Sequence, residues 1–310
     1  MEPAVRAHGL TRVYPGGTRA LQDVDLEIPA GKVFGLIGRN GAGKTTFVRI
    51  AATQLMPTSG EVTVLGFDIL KQVDEVRMRI ASVPQESRPL YFVSVEELIY
   101  TYLRARGAER ADAHKRTVAA MEEFSLTKVR RTQVNRLSGG TRRRAMVAMI
   151  LACDAEVLFL DEPTTGLDPL ARREVWTAIR RARTEGRTVV LTTHYLDEAE
   201  ALSSRIALLD GGRVKLEGSP DDLRGRVRRP FRVTVHGAFG RAELESFGEV
   251  SEIEGGFLVF ARETDAQDLA AKAMARGARV SLAPVTLEDI FLQVVGSRLD
   301  EEPPLETEAA

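Results

Sequence analysis

The chain has 310 residues, a formal net charge of −1, 44% hydrophobic residues and a single cysteine. That length suits one large domain with a smaller companion, and the hydrophobic content supports a sizeable core. The near-neutral balance argues against a nucleic-acid partner, while the lone Cys153 excludes an internal disulfide and fits a reducing compartment.

Residues 1–6 lack the charged-then-apolar layout of a signal peptide. Strands are expected at 26–28 and 32–37. Directly after the second, residues 38–46 read Gly-Arg-Asn-Gly-Ala-Gly-Lys-Thr-Thr, and 47–52 have helical character. A phosphate-binding loop needs this strand-to-helix junction, where backbone N–H groups and a helix N-terminus face an anion. Gly38, Gly41 and Gly43 let the backbone approach the phosphates, and Asn40 and Thr46 complete the cradle. Lys44 would neutralise phosphate charge and the Thr45 hydroxyl would ligate Mg²⁺. A plain glycine-rich turn would not need the Lys-Thr pair at this spacing, so the chain is expected to bind a nucleoside triphosphate.

Further strands are expected at 61–65 and 80–83, followed by residues 95–136, helical throughout by their apolar spacing. Next comes Leu137-Ser138-Gly139-Gly140-Thr141 and a helix opening with Arg142, Arg143 and Arg144. A hydroxyl, two glycines and a helix N-terminus form a second anion-binding surface, though such a string also serves as a simple cap. The arginines either stabilise that helix or contact phosphate. The run 145–160 is broken by Asp154 and Glu156 and is too short to span a membrane.

The apolar strand at 157–160 ends in Asp161 and Glu162. Asp161 is placed to hold Mg²⁺, directly or through water, and Glu162 to orient or deprotonate an attacking water. Strands return at 188–192 and 205–209. Continuous apolar strands separated by helices predict a largely parallel, buried sheet. The fold class is therefore α/β: a P-loop NTPase core on a parallel sheet, with a helical insertion at about 86–153 and a small C-terminal α+β domain. The core is expected over 1–225 and the accessory domain over 226–297, joined at the basic stretch 224–230. The acidic, Pro-containing 298–310 is expected to be disordered.

Taken in order, Tyr14, the phosphate loop, Gln85, 137–141, Asp161-Glu162, Gly166-Leu167-Asp168 and His194 resemble the nucleotide-binding subunits of ATP-binding-cassette (ABC) proteins. The resemblance implies that Tyr14 stacks on adenine and that Gln85 contacts Mg²⁺ and the attacking water. It further implies that Ser138, Gly139 and Gly140 bind the γ-phosphate of ATP held by a second protomer. Asp168 would line the dimer interface, and His194 would hydrogen-bond the γ-phosphate. Lys44, Glu162 and His194 then form the catalytic set, with Thr45, Gln85 and Asp161 around the metal. Thr141 departs from the family's usual Gln, and its shorter side chain would lose a contact to the opposite nucleotide's sugar.

The implied assembly is a head-to-tail dimer closed around two ATP molecules, acting with a separate polytopic permease from the cytoplasmic face of the membrane. The stretch 285–292 is similar to a C-terminal signature of bacterial exporter ATPases of the drug-resistance and polysaccharide-export types, which favours export. A soluble cassette protein acting on ribosomes is the alternative, but those generally carry two cassettes. Chromosome-maintenance ATPases insert a long coiled coil, and only about ninety residues separate Lys44 from Ser138.

Overall fold

The computed structural model describes residues 2–83, 92–225, 227–237 and 239–295. Gln85 and the tail 298–310 lie outside the described residues. Residues up to Glu217 form one compact unit, and the described residues from Gly218 onward form a second. The division precedes the basic stretch 224–230.

The first unit opens with β1 (Pro3–Val13) and β2 (Arg19–Pro29), paired antiparallel. Register shifts around Gly9 interrupt the period-two pattern of β1, which is why its sequence does not announce a strand. After β3 (Val33–Ile37) and α1 (Lys44–Ala51), β4 (Ser59–Val64) and β5 (Phe67–Asp68) complete this sheet in the order β2-β1-β4-β5. Then follow α2 (Val73–Arg79), β6 (Ile80–Val83), α3 (Val95–Ala105), α4 (Arg110–Glu123) and α5 (Gly139–Leu151). The segment expected to be helical throughout is thus two helices and two 3-10 turns. Gly107, at φ 92, supplies the break after α3.

The unit closes with β7 (Val157–Asp161), α6 (Pro169–Thr184), β8 (Thr188–Thr193), α7 (Leu196–Leu202), β9 (Arg205–Asp210) and β10 (Arg213–Gly218). The central sheet has the order β10-β9-β3-β8-β7-β6, and its pairs from β9 to β6 are parallel. All residues of β3, β7 and β8 are buried, as strands covered on both faces must be. Alternate residues of β7 feed two cores. Val157 and Phe159 pack with Phe34, Phe47 and Ile50, whereas Leu158 and Leu160 face the helical side with Phe124 and Ile179.

Register fixes the site. Ile37 pairs with Thr193, and Asp161 pairs with Thr192. The loops after β3, β7 and β8 therefore leave the sheet side by side at its carboxyl edge, where open α/β sheets bind ligands.

The second unit comprises α8 (Pro220–Gly225), β11 (Phe231–His236), α9 (Arg241–Leu244), β12 (Gly248–Ile253), β13 (Gly256–Ala261), α10 (Glu263–Ala275), β14 (Arg279–Pro284) and α11 (Leu287–Val295). Its sheet is antiparallel in the order β12-β13-β11-β14, a βαββαβ arrangement over its own core of Val233, Val235, Val259 and Leu269. β12, with the sequence Gly-Glu-Val-Ser-Glu-Ile, buries only Val250 fully and so carries little apolar signal.

Candidate functional site

The loop between β3 and α1 wraps a cavity of about 390 Å³ lined by Tyr14, Asn40, Gly41, Gly43, Lys44, Thr45, Thr46 and Glu162, among others. Glycine is required here by contact as well as by conformation. A Cβ on Gly38 would lie 2.2 Å from the Leu209 carbonyl oxygen. Gly43, the N-cap of α1 at φ 104, would place one 2.3 Å from the Ala20 carbonyl oxygen.

Lys44 is 5% exposed, and its Nζ donates to the carbonyl oxygens of Gly38 at 2.7 Å and Arg39 at 3.0 Å. Burial lowers its pKa, while the charges of Glu162 and Asp161 oppose that shift. Tyr14 sits at the cavity wall with its hydroxyl 3.3 Å from Thr46 Oγ1, and the Arg12 guanidinium lies 5.0 Å from its ring centroid.

Asp161 is 1% exposed and ends β7. Its Oδ1 accepts from Thr45 Oγ1 at 3.2 Å and from Thr192 Oγ1. Its Oδ2 is buried and takes no hydrogen bond among the described residues. A carboxylate oxygen so placed beside a threonine hydroxyl suits a hard cation, whose ligands are oxygens. Among the described residues no group of three His, Cys, Asp or Glu side chains could hold a metal.

Glu162, 5% exposed, turns its carboxylate between two cations or potential cations. Oε1 lies 3.9 Å from Lys44 Nζ and 3.3 Å from His194 Nδ1, and Oε2 accepts from Thr165 Oγ1 at 3.2 Å. Burial pushes its pKa up, but the His194 contact and the Lys44 charge outweigh burial and hold it below its ordinary value. It is therefore ionised at neutral pH and able to accept a proton.

Ser138, Gly139, Gly140 and Asp168 do not line the cavity. Ser138 caps α5, accepting from the Thr141 backbone N–H at 3.3 Å, with its Oγ 2.9 Å from Thr141 Oγ1. Thr141, which replaces the family's usual Gln, thus closes onto the cap. Ser138 and Gly139 are exposed. Asp168 caps α6, accepting from the N–H groups of Leu170 at 3.0 Å and Ala171 at 2.9 Å. The Ser138 cap leaves the start of α5 at the surface, outside the phosphate-loop cavity of the same chain, whereas the Asp168 carboxylate itself occupies the start of α6.

Several contributors escape sequence reading. Thr192 and Thr165 fix Asp161 and Glu162, and Arg143 reaches the carbonyls of both. The Arg-rich opening of α5 is the one visible hint of the last.

Residues 21–165 match the family described as ABC transporter. The chain is 36% identical over 315 residues to the daunorubicin/doxorubicin resistance ATP-binding protein DrrA of Streptomyces peucetius, spanning 96% of this chain and 94% of that protein. It is also 36% identical over 290 residues to the Nod factor export ATP-binding protein I of Cupriavidus pinatubonensis, spanning 92% and 88%. Among solved structures it resembles the ATP-binding subunit of an ABC transporter, with a TM-score of 0.67 and 26% identity over 72% of this chain and 92% of that one. A dimeric ATP-binding cassette in a post-hydrolysis state, bound to ADP and Pi, matches with a TM-score of 0.65 and 26% identity over 69% and 98%. With the phosphate loop, the paired carboxylates and the carboxyl-edge cavity already in place, the chain belongs to the ABC transporter family and is an ATP-binding, ATP-hydrolysing member of it.

Proposed function

We propose that two copies of this chain close head to tail around two ATP molecules and drive export through a separate polytopic permease, to which they bind peripherally at the cytoplasmic face of the membrane. Export is supported by the relatives, one a drug-resistance protein and the other a Nod factor export protein. Among the described residues no helix is long and apolar enough to cross a membrane, and on this reading the translocation path is the permease's.

One observation carries the catalytic reading: the buried, ionised Glu162 carboxylate set between Lys44 and His194 at the wall of the phosphate-loop cavity. Tyr14 stacks on the adenine, and the backbone from Gly38 to Thr46 cradles the phosphates with the Lys44 charge. Thr45 and Asp161 would hold Mg²⁺, with Gln85 the expected further ligand, and the ion would supply charge neutralisation at the phosphate oxygens. Glu162 takes the proton of the attacking water, and His194 orients that water and the γ-phosphate. Ser138, Gly139 and Gly140, none of them lining their own chain's cavity, close the partner's site, with Asp168 at the same interface. Each chain then holds two half-sites that only a second copy completes.

Glu162→Gln preserves the shape of the site and removes the base. ATP binding should persist while turnover falls at least ~10²-fold, the low end for loss of a general base. Turnover near the wild-type rate would overturn the assignment.

A further inference from the structure

The three arginines opening α5 take different partners. Arg142 donates to the Leu137 carbonyl at 3.3 Å, and Arg144 pairs with Glu174 at 3.5 Å. Arg143 reaches beneath the end of β7, where its Nη2 donates to the carbonyl oxygen of Asp161 and, at 2.7 Å, to that of Glu162. It does so from a largely desolvated position, where burial pulls its pKa down and the Asp161 and Glu162 carboxylates push back.

The backbone it grips is unusual. Glu162 stands at φ 49, a left-handed conformation that a non-glycine residue keeps only when its surroundings impose it. From one side, its N–H donates to the Thr192 carbonyl at 3.1 Å and to Thr192 Oγ1 at 3.0 Å. From the other, its carbonyl accepts from Arg143. This clamp turns the side chain away from the strand direction and toward Lys44 and His194. Without the guanidinium, two adjacent carbonyls at the end of β7 would lose a shared charged donor, and the turn would be free to relax. The carboxylate would then lose its aim even though every atom of the phosphate loop stayed in place.

We propose that Arg143 is a positioning residue for hydrolysis, its guanidinium fixing the Asp161–Glu162 turn so that the Glu162 carboxylate faces the reacting phosphate. The proposal rests on Glu162 being the base. Arg143 is not among the residues that line the phosphate-loop cavity; it acts on the aim of Glu162, so it should govern kcat and leave ATP affinity alone.

The test uses the full chain with Arg143→Ala and Arg143→Lys, ATP affinity measured by calorimetry and turnover by phosphate release. Arg143→Ala should bind ATP within about threefold of wild type, yet lose roughly 10- to 100-fold in kcat, the range expected for a charge-assisted hydrogen bond. Arg143→Lys keeps a cationic donor and should recover most of that loss. In a Glu162→Gln background Arg143→Ala should cost nothing more, because there is no base left to aim. An unchanged kcat in Arg143→Ala, loss of ATP binding in both variants, or an undiminished further loss in the Glu162→Gln background would each overturn the proposal. The two failures separate cleanly. If Glu162→Gln turns over normally, the base assignment falls and this proposal with it. If Glu162→Gln is inactive and Arg143→Ala is normal, only the positioning role falls.

Discussion

Two buried carboxylates in the first unit show how the same side chain is tuned in opposite directions. Glu162 is held ionised by His194 and Lys44 against the effect of burial, which suits a proton acceptor. Glu198, on α7 and 0% exposed, has no cationic neighbour strong enough to do the same. Burial raises its pKa, and hydrogen bonds from Thr193, Thr164 and Trp176 only reduce the shift. Its Oε1 accepts from Thr164 Oγ1 and Trp176 Nε1, both at 2.8 Å, tying the segment after Glu162 to α6. The sign of the linkage follows. A carboxyl whose folded pKa exceeds its unfolded value near 4.5 is protonated longer in the folded state, so folding loses stability as pH rises from that value through the raised one. Glu198→Gln keeps an acceptor for both donors and cannot ionise. Its melting temperature should therefore gain on wild type as pH is raised from about 4.5 to about 8. Glu198→Ala instead strands both donors, at about 1–3 kcal/mol each, and should melt lower throughout. Parallel melting curves for wild type and Glu198→Gln across that range would refute the buried-acid assignment.

At the level of elements, the loop between β3 and α1 couples local conformation to packing. Gly43 caps α1 at a positive φ, and its Cα hydrogen faces the Ala20 carbonyl oxygen of β2. Gly43→Ala must therefore both strain the backbone, at about 1–3 kcal/mol, and push β2 away from the loop. ATP affinity measured by calorimetry should fall at least ~10-fold; an unchanged affinity would show that the loop tolerates another path. The loop was readable because its strand, glycines, lysine and helix are contiguous in the chain, and the same holds for β7 with Asp161 and Glu162. What stayed hidden depends on segments that only folding brings together. Arg143 lies 18 residues from Asp161, and Glu198 lies 34 from Thr164 and 22 from Trp176. No local pattern encodes such pairs. Two of the strands that sequence reading missed fail for a different reason: β1 is irregular in register, and β12 exposes most of its side chains.

At the level of the whole molecule, the placement of the two anion-attracting surfaces argues for assembly. Ser138 and Gly139 are exposed and lie outside the cavity formed by their own phosphate loop, which is the placement the proposed assembly needs if another copy is to present a nucleotide there. ATP would then act as part of the interface, and hydrolysis would remove the phosphate that joins the halves. Glu162→Gln with Mg-ATP should accumulate as a dimer by light scattering, because the bridging phosphate survives, and should return to monomer when ATP is replaced by ADP. Ser138→Arg added to that variant places a bulky side chain at the cap without touching the phosphate loop. It should bind ATP with wild-type affinity and remain monomeric. That combination would locate the second half-site on the partner. If Ser138→Arg dimerised as readily as its parent, the surface at the start of α5 would not be where the opposite nucleotide sits. Loss of ATP binding by the monomer would instead place that surface within the protomer's own site, contrary to the head-to-tail arrangement.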